Sequence, residues 1–280
     1  MVDIVTNQEC NNSCVMCTTL RKQDNEKVNY QSPSKKELIK KIDSLNNPQY
    51  IAFTGGEPTL RADLFEILEY TVKRFPKTEI ALLTNGRMMA YPNYTKRLVA
   101  TGVRKFIIPI HAHHKDLHDF ISRSDGSFEQ TLKGIKNLSK HDVDIEIRVI
   151  IHAINYVFLP QIAELIKNGF DSVSRIVLLY FDAIGSGFLN RKRLFVPMTK
   201  VVPYLQEAVD FLEGYNVRLY HFPLCVLDKK YHEKAKGVTV VSRRITFKKE
   251  CDKCKLKNEC PGIWQTYAKL VGVEEFEFVR

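Results

Sequence analysis

The chain has 280 residues, 44% apolar and 26% charged, a composition that excludes disordered and fibrous classes and leaves a folded globular protein with a sizeable core. A net charge of +10 points to an acidic partner, nucleic acid or acidic peptide, although no RNP-type aromatic motif accompanies it and the lysines spread as they do on solvated helical faces. No apolar run is long enough to span a bilayer and MVDIVTNQEC lacks the regions of a signal peptide, so a cytoplasmic location off the membrane is expected. In that compartment the seven cysteines read as metal ligands rather than disulfides.

The first strand, Val2 to Thr6, runs directly into Cys10-Asn11-Asn12-Ser13-Cys14-Val15-Met16-Cys17, a C-x3-C-x2-C triplet. With no further cysteine before Cys225, the triplet can hold three irons of a [4Fe–4S] cube as thiolates and leave the fourth open for chemistry. The alternatives are a zinc knuckle and three incidental buried thiols. A local zinc site wants four ligands, and no His or Cys lies close enough after Cys17 to complete one.

Ser32-Pro33 opens a helix with Leu38, Ile42 and Leu45 on one face, and a second strand, Tyr50 to Thr54, ends in Gly55-Gly56-Glu57-Pro58. A helix around Leu64 to Phe75 leads to strand Glu79 to Thr84, which stops at Asn85-Gly86. Strand Lys105 to Ile110 precedes a helix whose start is marked by Ser127 and Gln130 as a capping box. Strand Ile145 to Ile151 is followed by a helix around Val157 to Asn168, and strand Arg175 to Tyr180 by a helix around Thr199 to Glu213. Six strands alternating with helical patterns imply parallel strands with right-handed crossovers, as an open sheet or a barrel. Ligands gather at the C-terminal ends of such strands, where the cysteine loop, GGEP, TNG and the His111 to His114 segment all fall. After about residue 214 the alternation stops; a strand-like pair around Val238 to Phe247 and a helix from Ile263 to Leu270 are expected in a small appended unit holding four of the seven cysteines.

The cysteine triplet after strand one and GGEP after strand two resemble the radical S-adenosylmethionine (SAM) enzymes over residues 2 to about 213. The resemblance implies a partial (β/α)6 TIM-like barrel over residues 1–213, with a cluster on Cys10, Cys14 and Cys17 whose open iron binds the amino and carboxylate groups of SAM. Reduction would then release a 5′-deoxyadenosyl radical that abstracts hydrogen from a substrate. By resemblance Gly55, Gly56 and Glu57 meet the methionine amine, and Thr84 and Asn85 lie near its ribose and methionine. Arg148 and Asn155 flank strand five as a polar pair for carboxylate and ribose, and Leu179 lies on the strand whose backbone meets adenine. Arg148 has the alternative of an ion pair with Glu146. His111 departs from the Ser or Asp expected there and is a candidate contact for SAM or substrate, while His114 and His118 read as solvated or hydrogen-bonded.

Cys251-x2-Cys254-x5-Cys260 with Cys225 makes a four-thiolate set that alone reads as structural zinc. Beside a radical SAM domain it is similar to the SPASM or Twitch extension, implying a Twitch-like subdomain over 214–280 and a second [4Fe–4S] cluster for electron transfer. Trp264 stands where the full SPASM pattern continues with cysteine. The segments around Tyr220 to Cys225 and after Cys251 resemble peptide maturases of His-Xaa-Ser repeat systems. The expected function is therefore modification of a ribosomal peptide by crosslinking, oxidation or epimerisation. A flavodoxin- or ferredoxin-type donor would supply the electron, and a separate recognition protein could present the peptide, since little chain precedes strand one. Oxidation or rearrangement of a sugar or cofactor precursor is the alternative, and a non-catalytic metal-binding RNA-associated protein is another. Tyr180, Asp182 and Asn190 are candidate substrate contacts by position; no residue is assigned as the catalyst.

Overall fold

The computed structural model describes residues 2–170, 172–238 and 244–279. Seven strands form one parallel sheet in chain order: β1 Val2–Val5, β2 Tyr50–Thr54, β3 Glu79–Leu83, β4 Lys105–Pro109, β5 Asp144–Ile151, β6 Val173–Tyr180 and β7 Val217–Tyr220. Between and after them lie α1 Lys35–Asp43, α2 Leu64–Arg74, α3 Pro92–Ala100, α4 Lys115–Ser122, α5 Ser127–Leu138, α6 Leu159–Gly169, two short turns α7 Ser186–Leu189 and α8 Arg191–Leu194, then α9 Met198–Phe211. This is an α/β partial barrel with one strand more than the six read from the sequence, so the sheet runs past residue 213. No helix among the described residues is long and apolar enough to cross a membrane.

The two faces of β5 show how the sequence builds the barrel. Ile145, Ile147, Val149 and Ile151 recur every second residue and are fully buried under the helices. The intervening Glu146, Arg148 and Ile150 turn to the barrel interior, where Arg148 and Ile150 reach a cavity at the C-terminal strand ends. Outside, α1 begins at a capping box in which Ser34 and Glu37 each bond the other's backbone, two residues later than Ser32 suggested. The box expected at Ser127 and Gln130 does not form. Gly126, at φ 76°, caps α5 instead, while Ser127 bonds Asp119 and Gln130 accepts from Arg87.

The expected pair around Val238 to Phe247 falls partly on residues 239–243, which lie outside the described residues. Ile245–Thr246 (β8) pairs antiparallel with Ile263–Trp264 (β9), so the expected helix begins only at α10, Gln265–Leu270. This segment docks on the end of β6: Trp264 Nε1 donates to the Tyr180 carbonyl at 3.2 Å and Thr266 Oγ1 to Asp182 at 2.7 Å.

Candidate active site

The cysteine loop is stitched to the loop after β2 as an extension of the sheet. Gly56 N donates to Asn7 O and Glu57 N to Glu9 O, both at 2.7 Å. A Cβ on Gly55 would stand 2.3 Å from Asn7 O, and one on Gly56 2.0 Å from Glu9 O, so the two backbones meet only because both residues are glycine. Glu57 is fully buried behind this contact. Its carboxylate accepts from Thr59 N and Oγ1, from Thr84 Oγ1 at 2.7 Å and from Asn85 N at 2.6 Å. Burial raises its pKa, while these hydrogen bonds oppose the rise. Glu57 is thus a strut between the β2 and β3 loops.

Cys10, Cys14 and Cys17 line one open cavity of about 340 Å³ at the barrel mouth. Gly55, Gly56, Glu57, Thr84, Asn85, His111, Arg148 and Leu179 line the same cavity, as do Tyr180 and Asp182. Asn155 does not. Its amide nitrogen donates to His111 O and Ile150 O and its oxygen accepts from His152 N, so its polar atoms are spent on tying the end of β5 to the segment after β4. Asn190 likewise serves the fold, bonding Val15 O, Asp24 and Ser186 O. Arg148 combines both readings made for it, facing the cavity while its Nε pairs with Glu146 at 2.7 Å. His111 is buried with Nε2 3.8 Å from Cys14 Sγ and its backbone N–H on His118 Nδ1. Burial, then the neighbouring His118 and His152, holds His111 well below the usual imidazole range. His114 caps α4 by accepting from Leu117 N.

The donor set fits an iron–sulfur cluster. Each sulfur has an N–H or ring nitrogen within reach: Asn12 N at 3.4 Å from Cys10, His111 at 3.8 Å from Cys14, and Arg21 Nε and Nη2 at 3.1 and 3.0 Å from Cys17. Such contacts favour thiolate over thiol. Without iron, burial pushes the Cys10 thiol up to about 11 and Cys14 higher, so loading must displace protons. No group of three or more His, Cys, Asp or Glu among the described residues is placed to hold a single metal ion.

Two cavity residues escaped the sequence reading in their role. Arg21, 3% exposed, forks onto Cys17 and also donates to Gln8 O; its i+4 spacing from Cys17 was visible, but no helix brings them together. Trp264 walls the cavity, stacked on His221 at 3.9 Å, with Arg244 over its ring and ion-paired to Asp182.

The C-terminal cysteines converge as well. Cys225, Cys251, Cys254 and Cys260 line one small space of about 20 Å³, walled by Phe247, Leu256, Ile263 and Phe276. Burial is the first cause pushing Cys225 up to about 12, with its fellow thiols adding to it.

The chain is 30% identical over 159 residues to an AdoMet-dependent heme synthase of Methanosarcina barkeri, covering 57% of this chain and 44% of that protein. It is 32% identical over 117 residues to the antilisterial bacteriocin subtilosin biosynthesis protein AlbA of Bacillus subtilis, covering 41% of this chain and 25% of that one. The chain thus spans less than half the length of these relatives. Among solved structures, Streptococcus suis SuiB bound to precursor peptide SuiA superimposes with a TM-score of 0.61 at 14% identity, over 78% of this chain and 48% of SuiB, a likeness of fold. The family model of the Radical SAM superfamily matches residues 4–167, the span that carries the cysteine loop, Gly55 to Glu57 and β2 to β5, and the chain belongs to that superfamily.

Proposed function

We propose that this radical SAM enzyme abstracts hydrogen from a ribosomally made peptide, initiating a crosslink, oxidation or epimerisation. An auxiliary [4Fe–4S] cluster on Cys225, Cys251, Cys254 and Cys260 would serve electron transfer. The observation that carries this reading is the convergence of those four thiols in a segment, 214–280, whose Trp264 also walls the SAM-side cavity. A cube with a thiolate on every iron has no position for substrate, which suits it to passing electrons. The likeness in fold to SuiB with its precursor peptide, and the identity with the subtilosin biosynthesis protein, support the peptide.

The N-terminal cluster, when bound, supplies the electron that cleaves SAM and frees the 5′-deoxyadenosyl radical. The chain's own part is to hold and shield. Arg21, His111 and Asn12 brace the three sulfurs. The N–H groups of Gly56 and Glu57 are spent on the Asn7 and Glu9 carbonyls, so this stretch offers carbonyl oxygens to a ligand, which suit an ammonium group. Thr84, Asn85, Arg148 and Leu179 line the remaining wall for SAM, and Trp264 with the Arg244–Asp182 pair narrows the mouth against water.

Anaerobic incubation with SAM, a reductant and a candidate precursor peptide, read by mass, tests the proposal. A defined mass change in the peptide together with 5′-deoxyadenosine is expected; SAM cleavage that leaves every peptide unchanged contradicts it. The identity to the heme synthase favours a second reading, oxidation or rearrangement of a small metabolite, which the second outcome would promote.

A further inference from the structure

A patch on the outer side of the cysteine loop has no role in the cavity. Phe120 on α4 is 49% exposed, and Phe188 and Leu189 on α7 are 42% and 47% exposed. Single exposed apolar residues are common, but these are joined by cations. The Arg193 guanidinium stands 5.5 Å from the Phe120 ring and that of Arg191 4.3 Å from the Phe188 ring. With Lys192 they form a run of three positive charges without an acidic ion-pair partner among the described residues. Nearby Asp24 is committed to Arg123 at 2.8 Å and its side chain is only 7% exposed.

The inner sides of the same elements carry the cysteine loop. Val15 N donates to Ile121 O at 2.9 Å, and Gly187 N donates to Cys17 O at 3.1 Å. Each exposed ring is therefore the sequence neighbour of a residue bonded to the Cys14–Cys17 turn. A molecule seated on this patch lies one backbone layer from the sulfurs and never enters the cavity. Substrate must enter the cavity; an electron need not.

We propose that the outer face of α4 and the α7–α8 segment docks a small acidic one-electron carrier protein of the flavodoxin class. This rests on the radical SAM reading, which requires an electron to reach the Cys10–Cys17 loop. The apolar centre and basic rim match a transient interface, and the chain's +10 charge steers an acidic partner toward it. In the transfer, the carrier's flavin hydroquinone loses one electron to become the semiquinone, and the oxidised cluster on the loop gains it; no atom moves.

The test is titration of reconstituted holoenzyme with an acidic flavodoxin in its oxidised form, beside 5′-deoxyadenosine formation driven either by reduced flavodoxin or by dithionite. The Lys192→Glu/Arg193→Glu pair and, separately, Phe120→Ser should weaken flavodoxin binding roughly tenfold or more and slow flavodoxin-driven turnover by a similar factor. Dithionite-driven turnover should not change. A Lys73→Glu/Lys77→Glu pair, exposed at the opposite end of the strands, should bind flavodoxin nearly as wild type does. Wild-type affinity in the patch variants, or an equal loss in the remote pair, overturns the docking surface. So does a patch variant that alters only precursor-peptide binding or oligomeric state. Failure of wild type to cleave SAM with dithionite overturns the enzymatic reading instead, and the binding titration then judges the surface alone.

Discussion

Cys10, Cys14 and Cys17 stand on an open cavity of about 340 Å³ whose largely apolar wall carries Arg21, His111, Arg148 and Asp182, whereas Cys225, Cys251, Cys254 and Cys260 line an apolar space of about 20 Å³. One set has room beside it for a ligand and polar groups to orient one. The other has neither. Thiol number and surroundings thus agree within each region: three sulfurs beside space for a further ligand, four beside almost none. On the proposed reading the same chemical ligand serves SAM cleavage in one setting and electron passage in the other, and the difference lies in the surroundings.

The largest expected break in this comparison is Cys14→Ala, which should abolish SAM cleavage, read as 5′-deoxyadenosine, while Cys254→Ala should keep SAM cleavage within a few-fold and lose peptide modification. Equal loss of both products in Cys254→Ala would remove the division of labour. Gly56→Ala comes next. Its Cβ would stand 2.0 Å from Glu9 O, forcing the cysteine loop off the β2 loop, so stability should fall by on the order of 3 kcal/mol and iron retention with it. Denaturant unfolding and iron analysis would read both, and wild-type values in both would show that the close approach is not needed.

Glu57→Gln should cost about 1–3 kcal/mol in stability, because an amide cannot accept all the donors now aimed at the two carboxylate oxygens. Thermal melts of the two proteins would show it; an equal melting temperature would mean that Glu57 is not a strut.

The smallest effect is on pH. Burial pushes His152 down to about 3 and His118 to about 4, below the value near 6.5 expected in the unfolded chain. The unfolded state therefore binds more protons below pH 6.5, and stability present above that value is lost as pH falls toward 4 and 3. The melting temperature should drop by several degrees between about pH 7 and pH 5, with a shallower slope in His152→Gln. A flat profile would show that neither histidine is held neutral by the fold.

Much of the barrel was legible because buried parallel strands are short apolar runs that end at Gly, Asn or Pro, as Tyr50–Thr54 and Glu79–Leu83 do. Val217–Tyr220 escaped because four residues with a charge at Arg218 carry too weak a pattern. α4 escaped because His114, His118 and Asp119 obscure its apolar face. At the site, residue types announced the thiols and the glycines, but not where long side chains go. Asn155 has the right place in the chain and spends its amide behind the wall, whereas Trp264, read only as a missing cysteine, reaches the cavity through a β6–β9 docking that no local pattern encodes.

The central claim, that two separate thiol sets hold two clusters of different openness, is tested most directly by anaerobic iron, sulfide and zinc analysis with electron paramagnetic resonance. Wild type would be compared with a Cys10/Cys14/Cys17→Ala variant, each with and without SAM. The account predicts about eight irons falling to about four, with SAM altering the reduced signal of wild type and leaving that of the variant unchanged. A variant that retains zinc and no iron would contradict it, leaving a single-cluster enzyme with a structural metal at its C-terminus.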